Sequence, residues 1–310
     1  MNPNLPHNRR RTLLNLALLG ALAAAGAACG HLPAAGPQAT ARTEIAEARL
    51  QVGATTVPYR DSGGSGVPVV LLHAASGKSQ MWVHQFPALT GAGYRVIAID
   101  WRQPNPGSPI GSQSTILVKA VLDQLGVKQA HFVGSAAGGG AAFQFALSHR
   151  DMVRSLVVAN SIGFVTDKDY LEMGNRIRPS PQFRAMPVEF LELGPSYRAA
   201  NPEGVARWMQ LAHDFVPGAP TLPSAAPAGA PKTVPGSNAV VTFAGLATLK
   251  MPTLLMTGDA DLYTPPSVLR MFGAHMKQAE LVVIPETGHS AYWEQPELFN
   301  RTVLAFLAKH

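Results

Sequence analysis

The run Phe132-Val133-Gly134-Ser135-Ala136-Ala137-Gly138-Gly139-Gly140 passes from an apolar, β-type stretch into small residues that open an apolar helix. A chain that turns this sharply from strand to helix strains the residue at the apex and tolerates only small neighbours, which gives the pattern G-x-S-x-G around a nucleophile. Here Gly134-Ser135-Ala136-Ala137-Gly138 fills that frame with alanine at the apex and serine one place early. Such a turn serves nucleophilic attack on an acyl carbon, and alanine has no oxygen with which to make it. Moving the frame so that Ser135 becomes the nucleophile places the branched Val133 two residues before it, where it would crowd the turn. Ala136 is therefore the expected nucleophile position, with Ser135 as the alternative nucleophile.

The elements around this turn alternate. Short, nearly continuous apolar runs at 67–73, 95–100, 129–134 and 153–160 are separated by helical or loop segments, and the alternation resumes with strands at 253–258 and 281–285 and helices at 266–276 and 296–308. This pattern predicts a mostly parallel sheet with helices on both faces. Two β-type runs at 49–52 and 55–59 predict an antiparallel hairpin before it. A helix is expected over 116–125, with Ile116, Val118, Val121, Leu122 and Leu125 forming one apolar face, and another over 137–147. Between about 164 and 249 proline becomes frequent and β-runs vanish. Helical pieces near 170–176, 188–193 and 204–215, then a stretch at 217–235 of almost only Pro, Ala, Gly, Ser and Thr, predict an inserted helical cap with a strap.

The chain has 310 residues, 46% of them hydrophobic and 14% charged, enough for one sizeable core. Its net charge of +6 includes Arg9, Arg10 and Arg11, which sit in a leader, so the mature chain carries about +3. The remaining Lys and Arg are scattered, which argues against nucleic acid as a partner. Residues 1–28 read as a signal peptide: a basic segment to Arg11, an apolar run from Leu13 to Ala28, then small residues up to Cys29. Arg10-Arg11-Thr12-Leu13-Leu14 resembles the twin-arginine consensus, and an ordinary Sec signal with an extra arginine fits equally, so export by Tat or Sec to a bacterial periplasm is expected. Cys29, the only cysteine, follows Gly26-Ala27-Ala28, a lipobox-like run with glycine in place of the usual leucine. It is a candidate for lipid attachment to a membrane, beside the plain alternative of cleavage at Ala25-Gly26-Ala27. Residues 29–43 read as a flexible tether, and the core domain as 44–163 with 250–310. A single cysteine excludes an internal disulfide.

From about Ala48 to its end the chain resembles the α/β-hydrolase superfamily, in particular its capped esterase, lactonase and dehalogenase-like branch. The markers come in the family's order: His73 with Trp82, Asp100 with Arg102, the turn at Ala136, Gly258-Asp259-Ala260-Asp261 with Pro265, and Pro285-Glu286-Thr287-Gly288-His289 with Glu294. The resemblance implies that His289 is the catalytic base and that Asp261, with Asp259 as runner-up, is the carboxylate that orients it and stabilises its protonated form. It implies an oxyanion hole from the backbone N–H groups of Ala75 and Ala137. The glycine usual after the first histidine is Ala74 here, which matters only if the local φ is positive. The 103–108 segment replaces a glycine-rich family turn, so the pocket wall there is expected to be remodelled. His73 and Trp82 are expected to order the core. Met173, Phe183, Phe190, Trp208 and Met209 are candidates to line a substrate pocket from the cap, with cap-to-core packing as their alternative role. No residue spacing suggests a metal site or a phosphate loop, and no cofactor is expected.

Three functions fit this constellation. The first is an exported serine-type hydrolase of esters or lactones whose nucleophile has been replaced, inactive or impaired as written. The second is a non-catalytic ligand-binding protein that uses the same cleft. In the third, His289 and Asp261 carry out acid–base catalysis without a covalent intermediate. The apolar cap suggests a small, largely uncharged acyl or lactone substrate, whereas a haloalkane would need a carboxylate nucleophile.

Overall fold

A computed structural model describes residues 46–102, 113–212 and 239–310. The leader, Cys29, the tether, the 103–108 segment and the 217–235 strap lie outside these residues.

Eight strands form one sheet: β1 Glu47–Val52, β2 Thr55–Asp61, β3 Pro68–Leu72, β4 Arg95–Ile99, β5 Ala130–Ser135, β6 Val153–Ala159, β7 Thr253–Gly258 and β8 Ala279–Ile284, in the order β1-β2-β4-β3-β5-β6-β7-β8. β1 and β2 pair antiparallel as a hairpin, β2 runs antiparallel to β4, and every other pairing is parallel. The period of two along a strand explains the two cores. Val70 and Leu72 of β3 point into one cluster with α2 (Ser114–Gln124) and α3 (Ala137–Ser148), while Val69 and Leu71 point into the other. α1 (Gln85–Gly91), α10 (Ala291–Glu294) and α11 (Pro296–Leu307) cover that second face, and α9 (Pro266–His275) packs on the first. Being covered on both sides is what makes the central strands read as unbroken apolar runs.

The boundaries differ in instructive places. β8 begins two residues earlier than its apolar run and lies at the sheet edge, where Leu281 and Val283 are exposed. Ile116 does not belong to the buried face of α2: that face is Ser114, Leu117, Val118, Val121 and Leu122, at helical spacing, and it turns Ile116 to solvent. Between β6 and β7 the described chain is helical, with α4 Lys168–Ile177, α5 Val188–Glu192, α6 Pro195–Ala200, α7 Pro202–Leu211 and α8 Phe243–Leu246. Val165 and Val241 form an isolated bridge, and Asp167 accepts the Phe243 N–H, so the two ends of this helical segment meet beside the sheet.

Candidate active site

Brought together at the C-terminal ends of the parallel strands are the turn after β5, the loop after β3, the end of β6 and the loops after β7 and β8. The turn after β5 is the sharpest. Ala136, between β5 and α3, has φ 50° and ψ −116°, a left-handed conformation that L-residues rarely hold. Its neighbours must be small: a Cβ on Gly134 would lie 2.4 Å from the Gly138 carbonyl oxygen, and one on Gly138 would lie 2.0 Å from the carbonyl oxygen of Leu72. Ala136 N–H donates to the Ala159 carbonyl at 2.9 Å, and the Ser161 hydroxyl donates to the Ala136 carbonyl while accepting Gly163 N–H. These bonds hold the apex from the β6 side. Ser135 is the last residue of β5; its side chain is fully buried, and among the described residues its hydroxyl has no hydrogen-bond partner, His289 included.

His289 lies in the loop after β8 and Asp261 in the loop after β7, and both are buried. Nδ1 of His289 is 3.0 Å from both Asp261 oxygens. Asp259 is exposed and, among the described residues, accepts only the Thr287 N–H at 3.3 Å, so Asp261 is the carboxylate on the imidazole. Asp261 Oδ1 accepts the N–H groups of Tyr263 and Thr264, and Oδ2 accepts Asn160 Nδ2 at 3.0 Å and the Thr264 hydroxyl at 2.6 Å. Burial alone would raise the Asp261 pKa, but the charge and hydrogen bond of His289, then Thr264 and Asn160, hold it well below the carboxylate range. For His289 burial works the other way. The charge and hydrogen bond of Asp261, with the nearby Glu192, outweigh it and raise the imidazole pKa above its ordinary value.

Around this pair sit groups that the sequence did not single out. Asn160, at φ 51° just past β6, reaches both Asp261 and the Gly288 carbonyl and so ties the two loops together. An asparagine closing an apolar strand, at a position where left-handed backbone is tolerated, was the available signal. The Tyr263 ring packs on the His289 ring with centroids 4.4 Å apart. Arg178, at the end of α4, is buried and donates to the Tyr263 carbonyl; burial lowers its pKa against the pull of Tyr170, Asp261 and Tyr263. Glu192, the last residue of α5, is buried beside His289.

On the oxyanion side, Ala137 is the first residue of α3, where an N–H has no partner within the helix. Ala75 lies in the turn after β3, closed by the Gly77 N–H to Ala74 carbonyl bond, and its own carbonyl accepts Arg102 Nη1 at 3.0 Å. Ala74 does not have positive φ, so alanine sits there without strain. His73 and Trp82 are core residues: the His73 carbonyl accepts the indole N–H of Trp101, and Trp82 packs on Tyr292.

The five pocket candidates are not brought together. Phe183 is buried edge-on to Tyr263 and so reaches the site through it. Met173 packs against the first core cluster, and Trp208 is fully buried in the second. Phe190 and Met209 are exposed, Phe190 under the guanidinium of Arg198. Helices this short present one face inward, and these two residues lie on the other.

With this geometry established, comparison with known proteins places the chain. The family model described as alpha/beta hydrolase fold matches residues 67–296. The chain belongs to the α/β-hydrolase family. Among its curated relatives, a 2-hydroxy-6-oxononadienedioate/2-hydroxy-6-oxononatrienedioate hydrolase of Burkholderia vietnamiensis is 30% identical over 279 residues, covering 82% of this chain and 91% of the relative. One of the same description from a Pseudomonas species is 30% identical over 281 residues, 82% of this chain and 92% of the relative. Of solved structures, a thermophilic esterase from Thermogutta terrifontis superposes with a TM-score of 0.68 at 23% identity, over 86% of this chain and 99% of that one. An enol-lactonase from Burkholderia xenovorans gives 0.64 at 19%, over 84% and 100%. At such identities the structural likeness shows the fold, and this α/β hydrolase shares it with both.

Proposed function

We propose that this α/β hydrolase is an exported protein of ester- or lactone-hydrolase type in which Ala136 occupies the nucleophile position, so that ester turnover is abolished or strongly lowered. The observation that carries this reading is the backbone of Ala136: the apex keeps a strained conformation, with Gly134 and Gly138 packed against it, although no reactive atom sits there. His289 and Asp261 are assembled as base and orienting carboxylate, and the N–H groups of Ala75 and Ala137 are the candidate oxyanion donors. A site of this kind without its nucleophile keeps on the order of 10³ to 10⁴-fold over the water reaction. The names of the curated relatives, hydrolases of a carbonyl-bearing dienedioate, support hydrolysis at an activated carbonyl as the class of reaction. Export rests on the leader with Arg10 and Arg11, and attachment through Cys29 is part of the same proposal.

A second reading is acid–base catalysis by His289 and Asp261 without a covalent intermediate, favoured by the buried carboxyl of Glu192 beside the imidazole. The test is a panel of short-chain 4-nitrophenyl esters offered to the protein, its Ala136→Ser variant and the Ala136→Ser/His289→Ala variant. Burst kinetics and a large rate in the serine variant, abolished by the histidine change, support the first reading. No gain from Ala136→Ser, with His289-dependent turnover by the parent, replaces it with the second. Tight binding of an ester that none of the three proteins turns over would make this a binding protein.

A further inference from the structure

His73 stands where the loop after β3 begins, with only 2% of its surface exposed, and neither the catalytic pair nor the apex at Ala136 accounts for its polar ring. Its Nδ1 lies 2.7 Å from the Ala74 carbonyl oxygen. A carbonyl can only accept, so Nδ1 carries the proton and donates, which fixes the tautomer. Nε2 is 3.7 Å from Asp100 Oδ1 and has no hydrogen-bond partner among the described residues. The one hydrogen bond of the ring therefore goes to the backbone of the next residue. Burial lowers the His73 pKa against the pull of Asp100, so the ring holds this bond in its neutral form.

The Ala74 carbonyl also accepts the Gly77 N–H at 3.1 Å, so a side chain and a turn engage both of its lone pairs. That carbonyl belongs to the peptide unit whose other end is the Ala75 N–H. A trans peptide is planar, with N–H pointing opposite to C=O, so anchoring the Ala74 oxygen sets the direction of the Ala75 N–H. Among the described residues this N–H makes no hydrogen bond. Strand register brings it beside the apex. Leu72 of β3 pairs with Gly134 of β5 in parallel, so Ala75 and Ala137 each stand three residues past a paired position. The two chain exits are in close contact there: a Cβ on Gly138 would lie 2.7 Å from the His73 carbonyl oxygen. The flanking carbonyls are held too, His73 by the Trp101 indole and Ala75 by Arg102, each at 3.0 Å. Of these three carbonyls, the one at Ala74 shares its peptide plane with the free donor.

We propose that His73 is a positioning residue: by donating from Nδ1 to the Ala74 carbonyl, it aims the Ala75 N–H at the oxygen that becomes negative during attack on an ester or lactone carbonyl. This rests on the hydrolytic reading above and adds a residue to its oxyanion side. His73 neither touches the substrate nor moves a proton; it acts through one peptide plane. Backbone donors stabilise a developing oxyanion when they already point at it before the reaction, and loss of one costs about 10²–10³ in kcat.

The experiment measures the peptide plane and the chemistry separately. The direction of the Ala75 N–H is read as its residual dipolar coupling in the nitrogen-15-labelled full-length protein and in its His73→Leu and His73→Asn variants. Hydrolysis of 4-nitrophenyl acetate is followed with the same two changes in the Ala136→Ser background. Leucine removes the donor, whereas the side-chain amide of asparagine puts an N–H where Nδ1 stood. Expected for His73→Leu are a changed Ala75 coupling and a kcat lowered about 100-fold with KM within about twofold. His73→Asn should keep the coupling and hold kcat within about fivefold of the His73 protein. An equal loss with leucine and asparagine overturns the assignment, because it marks packing by the imidazole alone. So does His73→Leu with an unchanged coupling, or with a kcat within about twofold of the serine protein. If the leucine variant fails to fold, asparagine decides: a kept coupling and rate uphold the assignment, and loss of either overturns it. An inactive Ala136→Ser protein whose Ala75 coupling still follows the donor overturns the hydrolytic reading and leaves the hold on the peptide plane standing; inactivity with an unresponsive coupling overturns both.

Discussion

Glu294 and Gly194 are 100 residues apart in sequence, yet the carboxylate accepts the glycine N–H at 2.7 Å. The same carboxyl accepts Gly288 N–H with both oxygens at 3.0 Å and Ser290 N–H at 3.3 Å. One side chain therefore satisfies the backbone on either side of His289 and the backbone just after Glu192. Removing it leaves several buried donors without an acceptor, each worth about 1–3 kcal/mol. Glu294→Ala should lower the unfolding free energy by about 3 kcal/mol, and Glu294→Gln, which keeps one acceptor oxygen, by less. Urea unfolding at pH 6 measures both, and a loss under about 0.5 kcal/mol for alanine would contradict the role.

Two buried groups should bend the pH dependence of stability in opposite directions. Burial raises Glu294 from 4.5 to about 7 against the backbone donors that lower it. The stability linked to it is complete below pH 4.5 and is lost as pH rises through about 7. His131 of β5, whose Nδ1 meets the Ser155 hydroxyl at 2.7 Å, is lowered from 6.5 to about 4 by burial, then by Arg154 and His310. Its contribution is complete above pH 6.5 and is lost as pH falls through about 4. Urea midpoints against pH should fall less steeply between pH 6.5 and 4 in His131→Gln, and less steeply between pH 5 and 7 in Glu294→Gln, than in the parent. Profiles unchanged from the parent would refute the respective assignment.

Ala136 pays for its backbone without using it, so glycine should be better tolerated there than alanine. Relief of the left-handed strain, less the extra freedom glycine gives the unfolded chain, should stabilise Ala136→Gly by about 1 kcal/mol. A thermal melt that shows destabilisation would mean that the turn is not strained.

Gly138→Ala should be among the most damaging single-methyl changes in the chain. Its Cβ would collide with the backbone oxygen of Leu72 at 2.0 Å, and neither α3 nor β3 can yield without opening the core between them. A loss above about 3 kcal/mol is expected. Gly91→Ala, at the exposed end of α1 with nothing within 4 Å of the new methyl, is the control and should stay within about 0.5 kcal/mol of the parent.

The parallel strands were legible in the sequence because they are buried on both faces, and His289 with Asp261 because each follows a strand in a short, recognisable loop. Glu192 was not legible. A glutamate between two leucines in a short helix reads as the solvent face, and its burial comes from loops that follow β3 and β8, far away in the chain. Trp208 had two roles open to it in the sequence, pocket wall and packing against the core, and it lies in the second core cluster with Tyr292 and Leu193. Ile116 was misplaced because Leu117, next to it, competes for the same face and wins by one helical step.

The ladder from β3 through β5 and β6 to β7 carries every site loop but one, and its amides lie in the most buried layer of the sheet. Those amides should exchange with deuterated water only on global unfolding, whereas the amides of α5, a helix of five residues, should exchange through local opening. Exchange would then separate two clocks within one site: a slow one for the strands that hold the turn at Ala136 and the Asp261 loop, and a fast one for the segment that carries Glu192.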